Sequence, residues 1–349
     1  MRIPIEDLQI GDRTGADVFN WNGLLVVSAH TVLNAEDIEK LQRHNIDYID
    51  VMIRFDGQAA PAVTAPASAR ALAQTAAYQE AVGGIKQLFQ DIELQGSIQD
   101  EQVEQCFSPL ARQMEQENDV VALLLTLNNK DDYTYQHSVQ VGMISYYIAK
   151  WLGQSEDEAL LAGKAGYLHD IGKSRIDKAI LQKPSKLTDE EYGLIKQHPR
   201  FGYEMIESSG LNKALAFAAL QHHERLDGTG YPSGLKGHEM HPVAKIVAVA
   251  DIYSAMISQR VYQKKQGLLQ VLKELHRMSF GQLDPQITQV FIRNMLPNFI
   301  GKKALLSSGE IGTIIMTHPT DFFRPLVQAG EDFINLAETP GLDIDEVYV

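Results

Sequence analysis

The sequence predicts a mainly α protein: a helical bundle with a small N-terminal α+β module and a short C-terminal β extension. Three observations predict it. Apolar residues recur at helical spacing from Arg70 onward, alternating apolar runs occur near the two ends, and histidines and aspartates return at intervals that suit successive helices of one bundle. A length of 349 residues allows two or three structural units.

Residues 1–56 read as the α+β module. Residues 24–27 (LLVV) are strand-like, Asn34 is placed to cap a helix that begins AEDIEKL, and residues 49–53 alternate like a second strand. Residues 57–69 (GQAAPAVTAPASA) are small, uncharged and hold two prolines, so they read as a linker. Residues 70–127 read as connecting helices. Leu72, Ala76, Ile85, Phe89 and Ile92 share one face of the first, and Val103, Phe107, Leu110 and Met114 do so after the break at Gly96 and Ser97. Residues 120–127 (VVALLLTL) suggest a buried helix leading into a run of helices over 128–300. Residues 301–349 turn β-like, with strand runs at 304–306 and 311–316 around a Ser-Ser-Gly turn.

The composition, 44% hydrophobic and 22% charged, is that of a globular protein and excludes a disordered or collagen-like chain. A single cysteine, Cys106, excludes a disulfide scaffold. The longest apolar run, 120–127, is too short to cross a bilayer. The N-terminus is charged where a signal peptide needs an apolar stretch, so the expectation is a cytoplasmic protein with no membrane partner. The net charge of −14 argues against DNA or RNA as partner. That charge is unevenly spread. Residues 1–60 carry 10 acidic and 5 basic side chains, residues 61–127 carry 9 and 3, and residues 301–349 carry 8 and 3. Residues 128–300 carry 18 and 20, together with eight of the eleven histidines, so chemistry is expected in this slightly basic middle.

His137 has Val141, Ile144 and Ile148 on its own helical face and therefore points inward. Alone it would read as a satisfied core histidine. His169 and Asp170 end a helix expected to stop at Gly172. Thr188 and Glu191 form a capping box opening a short helix that His198 should end, because Pro199 follows. His222 and His223 close the segment 211–224, where Leu215, Ala218 and His222 share a face. Asp251 lies in a helix starting at Pro242 that is apolar almost all round, where an unpartnered carboxylate would be costly. Each has an innocent reading, but together five imidazoles and two carboxylates recur at intervals of 32, 29 and 24 residues, with Asp251 28 residues after His223. Seven such groups exceed the needs of one tetrahedral zinc and suit two ions with a bridging carboxylate. Nitrogen and oxygen donors without thiolate fit iron, manganese or zinc. His238, His241 and His276 read as ordinary surface or loop histidines.

His169-Asp170 followed by His222-His223-Glu224-Arg225-Leu226-Asp227-Gly228-Thr229-Gly230-Tyr231-Pro232 closely resembles the HD-GYP family, a branch of the HD superfamily of metal-dependent phosphohydrolases. The resemblance covers about residues 128–300 and includes Asp131, Asp132, Lys173, Lys196, Asp251 and Arg260. It implies an HD-superfamily helical bundle that hydrolyses cyclic di-GMP to linear pGpG and, in some members, onward to GMP. It also implies one metal on His137, His169, Asp170 and Asp251, and a second on Asp170, His198, His222 and His223. Iron or manganese is expected, with zinc, nickel or cobalt as alternatives. A glutamate that gives some members a third metal is replaced here by Tyr133, which implies two. Two cations about 3.5–4 Å apart would neutralise a phosphodiester and supply a bridging hydroxide near neutral pH.

By the same resemblance Asp170 and Lys173 are the catalytic residues, and Lys173, Arg260 and Tyr231 are candidates to contact substrate. The family often shows Arg-Pro-Tyr-Lys where this chain has Arg260-Val261-Tyr262-Gln263. Tyr231 either stacks on a guanine or packs internally, and Asp227, Gly228, Gly230 and Pro232 shape a rigid turn or a lip of the site. Two other readings remain open: a weakly active signalling module that binds dinucleotide or a GGDEF-domain partner, and a phosphodiesterase for cyclic GMP-AMP. A homodimer is a further candidate assembly. Both flanks resemble segments attached to such domains without indicating a role.

Overall fold

A computed structural model describes residues 2–5, 8, 12–15, 18–19, 25–27, 31–44, 46, 48–51, 66–114, 133–183, 185–258, 268–318 and 321–348. The chain divides into two compact units, Met1–Ser68 and Ala69–Val349.

In the first unit, β1 (Arg2–Pro4) pairs antiparallel with β4 (Tyr48–Asp50), and β2 (Val18–Phe19) with β3 (Leu25–Val27). Helix α1 (Ala35–Arg43) is capped at Asn34, whose Oδ1 accepts from the Asp37 amide at 2.9 Å, while Asp37 accepts from the Asn34 amide. Val26, Val27, Leu33, Leu41, Ile49 and Val51 form its small core. Both expected strands and the capped helix are present.

The second unit is helical, with a terminal sheet on the same core. Helix α2 (Pro66–Gln95) begins inside the expected linker, because Pro at a first helical position is pre-set for helix and the alanines that follow propagate it. Residues 57–65, and the expected helix 120–127, lie outside the described residues. On α2, Ile85, Phe89 and Ile92 are buried as expected, but Ala76 is exposed and Ala77, Tyr78 and Ala81 face the core instead. Helix α3 (Asp100–Met114) buries its four expected apolar residues.

Helices α4 (Tyr133–Trp151) and α5 (Glu156–Leu168) pack together, with Ser155 and Glu158 making the capping box that starts α5. Helix α5 stops at Leu168, earlier than expected, and the chain tightens into a 3₁₀ turn over Ile171–Arg175 that contains Gly172. After the short α6 (Lys178–Leu181), Thr188 and Glu191 cap α7 (Asp189–Ile195) as their spacing predicts. His198 does not end that helix. It opens α8 (His198–Ser208), because Pro199 fits a helix's first turn, where its missing N–H has no partner to lose.

Asn212 caps α9 (Lys213–Gln221), and α10 (Pro242–Ser258) runs through the core. Val247, Val249 and Ala250 on α10 are fully buried. Large aliphatic groups contribute about 1.5–3 kcal/mol each on burial, which offsets the cost of holding Asp251 out of water on the same helix. Helices α11 (Leu268–Met278) and α12 (Pro285–Met295) complete the bundle. The β extension is a five-stranded antiparallel sheet of β5 (Lys303–Leu306), β6 (Ile311–Met316), β7 (Leu326–Ala329), β8 (Asp332–Asn335) and β9 (Ile344–Tyr348), in the order β8-β7-β6-β5-β9. His276 is neither a loop nor a surface histidine: it lies on α11 with its ring against Phe280, Phe322 and Phe323. His241 stacks on Phe217, and His238 is exposed. Among the described residues, no helix is long and apolar enough to cross a membrane.

Candidate metal centre

Three helix ends and two helix interiors bring seven side chains together. His169 follows the last residue of α5, His198 opens α8 just past α7, and His222 and His223 follow α9. His137 and Asp251 project from within α4 and α10. Three overlapping groups have ligand atoms within 4.8 Å of one another: His137, His169 and Asp251; His169, Asp170 and His222; His198, His222 and His223. All seven expected ligands are therefore assembled, and only His223 is not fully buried.

The way the rings are held decides what they can bind. His169 Nδ1 donates to Gly166 O at 2.7 Å, His198 Nδ1 to Ile195 O at 2.7 Å and His222 Nδ1 to Ala219 O at 2.9 Å. Each acceptor is a carbonyl in the last turn of a helix, where backbone acceptors otherwise lack partners and the dipole is negative. A carbonyl can only accept, so each Nδ1 carries a hydrogen, and in the unprotonated ring that a metal requires each Nε2 presents a lone pair inward. Those lone pairs meet other electron-rich atoms. His198 Nε2 lies 3.3 Å from His222 Nε2 and 3.2 Å from Asp170 Oδ1, and His169 Nε2 lies 3.3 Å from Asp170 Oδ2. His169 Nε2 and Asp170 Oδ1 are buried without a hydrogen-bond partner. Orphaned buried acceptors facing one another call for cations between them, so the donor set fits metal ions.

His137 is oriented differently. Its Nδ1 donates to Ser254 Oγ at 3.0 Å, Ser254 donates to Gln140 Oε1 at 3.1 Å, and His137 Nε2 faces Asp251 Oδ1 at 3.0 Å. Ser254 and Gln140 escaped the sequence reading. The available signal was spacing: Gln140 is three residues after His137, and Ser254 three after Asp251 in an otherwise apolar helix.

Electrostatics follow from this crowding. Burial alone would raise the Asp170 carboxyl, but the charges of His169 and Lys173 outweigh it and hold Asp170 well below the usual carboxylate range. The same opposition, with the His137 hydrogen bond foremost, depresses Asp251. Burial would lower His169, yet Asp170 and Asp251 raise it. Burial and neighbouring imidazoles push His222 well below its usual range, and burial pushes His223 down to about 3. At neutral pH these last two rings are unprotonated, as metal ligands must be.

Lys173 Nζ lies 2.5 Å from Asp170 Oδ2, so the lysine is paired with the central carboxylate. Tyr231 stacks on His223 with ring centroids 4.6 Å apart and is partly buried. Arg260 lies outside the described residues. The loop carrying Tyr231 is anchored by Glu224, whose role the motif did not reveal. Its buried carboxylate accepts from the amides of Ser233 at 2.7 Å and Leu235 at 3.0 Å. Asp227 Oδ1 accepts from the Thr229 amide at 3.0 Å, Gly228 takes φ +82°, and Pro232 follows a cis bond. A Cβ on Gly230 would lie 2.4 Å from Glu224 Cα, so only glycine lets the loop fold back over the histidine pair.

The HD domain family model matches residues 122–287. A cyclic di-GMP phosphodiesterase of Pseudomonas aeruginosa is 36% identical over 206 residues, covering 59% of this chain and 50% of the relative. A 3′3′-cGAMP-specific phosphodiesterase of Vibrio cholerae is 35% identical over 180 residues, covering 50% and 41%. The chain thus spans about half the length of the curated relatives it matches. The solved HDG"Y"P protein Bd1817 of Bdellovibrio bacteriovorus superposes with a TM-score of 0.53 at 17% identity, over 83% of this chain and 97% of that one, and so shares its fold. With its His-Asp pair, its histidine-rich centre and its Gly-Tyr-Pro loop, the middle region of this chain matches the HD domain family and carries the signature residues of the HD-GYP branch.

Proposed function

We propose that the chain hydrolyses the phosphodiester bonds of a cyclic dinucleotide, with cyclic di-GMP as the first candidate, pGpG as the first product and GMP the further one, in a metal-dependent reaction. The observation that carries this reading is the convergence of lone-pair-bearing imidazole nitrogens and two ionised, buried carboxylates on one centre. His137, His169, Asp170 and Asp251 would hold one divalent ion, and Asp170, His198, His222 and His223 the other. The donor set suits iron or manganese, with zinc, nickel and cobalt as alternatives. Once bound, such ions neutralise an anionic diester and activate water for attack on phosphorus.

The chain's own residues supply placement. Asp170, shared by both sets, fixes the spacing of the centre. Lys173 borders both Asp170 and solvent, with its side chain 24% exposed, and can turn its ammonium to a phosphate oxygen. Tyr231 covers one face of His223 and limits water there. The Pseudomonas relative supports cyclic di-GMP as substrate. The Vibrio relative supports a second reading, cyclic GMP-AMP, at nearly the same identity.

The test is purification without oxygen in iron or manganese, metal analysis per chain, and product analysis from both dinucleotides. Two metals and linear product from either substrate are expected. Two metals with no product from either would replace the hydrolase with a nucleotide-binding signalling module acting through a GGDEF-domain partner.

A further inference from the structure

A cavity of about 400 Å³ opens beside Lys173, walled by α2, α4, the 3₁₀ turn and α6. That volume lies within the ~300–1,000 Å³ of small-molecule sites. Its lining combines aromatic and polar side chains, with Glu93 and Lys178 paired across 3.6 Å at its solvent-exposed side. Phe89 and Tyr135 form an edge-to-face aromatic pair with centroids 5.3 Å apart, and Gln90, Ser174 and Gln182 add amide and hydroxyl groups. Lys173 stands where the cavity meets the metal centre, through its contact with Asp170.

An aromatic wall, two amides and a cation at one end match the parts of a nucleotide. A base is held by aromatic contact, its edge is read by side chains that both donate and accept, and its phosphate is drawn to the lysine. Phe89 and Gln90 come from α2, which lies N-terminal to the region matched by the HD domain model. Helix α2 is fixed there by burial of Ile85, Leu88 and Ile92 and by Tyr167, whose hydroxyl donates to Ala81 O at 2.6 Å.

We infer that this cavity is the subsite for one purine nucleoside of the substrate, and that Gln90 and Tyr135 set nucleobase preference from outside the metal centre. The inference rests on the phosphodiesterase reading for its substrate and on the cavity for its location.

The test compares Gln90→Ala and Tyr135→Leu with the parent on cyclic di-GMP and on bis(4-nitrophenyl) phosphate, a diester without a nucleobase. Gln90 is exposed on a helix, where alanine is well tolerated. The ratio of kcat/KM between the two substrates is expected to fall about threefold to tenfold in each variant, the scale of one lost polar or stacking contact, with the loss in KM. An unchanged ratio in both variants overturns the subsite. If the parent cleaves neither diester, the hydrolase reading fails, and calorimetric titration with 5′-GMP decides the cavity by itself. Weaker binding in both variants than in the parent upholds it, and equal or absent binding overturns it.

Discussion

Gly172 sits in the 3₁₀ turn between Asp170 and Lys173, against the first turn of α8. A Cβ at this position would lie 2.0 Å from His198 O and 2.4 Å from Gly202 N. Both are backbone atoms, so no side chain can rotate away. Restoring even a 3.0 Å contact moves α8 off the turn by about 1.0 Å. Metal-ligand distances tolerate only about 0.2 Å, so His198 would leave the reach of any ion shared with Asp170. Gly172→Ala should therefore lose metal as well as stability. The overpacking cost is about 1–3 kcal/mol, or a fall in Tm of about 2–12 °C for a unit of this size. Gly193 on α7 is the control: a Cβ there meets nothing within 4 Å, and Gly193→Ala should be neutral or gain up to about 1 kcal/mol. Thermal melting and metal analysis of both variants decide the matter. A Gly172→Ala protein that melted with the parent and kept its full metal content would refute the argument that this close approach sets His198.

Asp170→Ala should abolish turnover and leave fewer than two metals per chain while the helical circular dichroism persists; parental turnover in the metal-loaded variant would remove Asp170 from the centre. Ser254→Ala takes away the acceptor that orients His137, so metal affinity should fall about 10–100-fold, while Ser254→Thr, which keeps a hydroxyl, should retain most of it in the same titration. Metal-free protein should lose stability as pH falls from 6.5 toward 4. His222 and His223 refuse protons in the fold that the unfolded chain accepts below 6.5, at a cost of up to about 1.4 kcal/mol per pH unit for each. His169, raised in the fold, opposes this slope near pH 6.5 and adds none once it is protonated in both states, so a Tm in chelator that did not fall between about pH 5.5 and 4 would contradict the assignment.

Much of the centre was legible because it is made of rare residue types on periodic helices. His137 and Asp251 stood out as polar groups on apolar faces, and the capping box at Thr188 was a local signal that tertiary packing had no reason to override. What could not be read were long-range consequences. Pro199 limits the residue before it, but whether His198 closes α7 or opens α8 depends on the docking of α8 against the 3₁₀ turn. Lys173 was read as a candidate to contact phosphate, and its pairing with Asp170 emerges only when the 3₁₀ turn folds the two side chains together. The Ser254–Gln140 pair was hidden because a serine and a glutamine carry no signature until two helices face each other. Helix α2 was placed with the wrong residue, Ala76, on its buried face, since alanine marks a face only weakly.

The carbonyls behind His169, His198 and His222 have an evolutionary side. A peptide carbonyl belongs to every residue, proline included, so no substitution at Gly166, Ile195 or Ala219 deletes the group that aims the imidazole. Lineages can drift at those positions, within the limits of packing, without misaiming a ligand. His137 has no such insurance, because its aim is inherited through one hydroxyl, that of Ser254, and a single codon change can remove it.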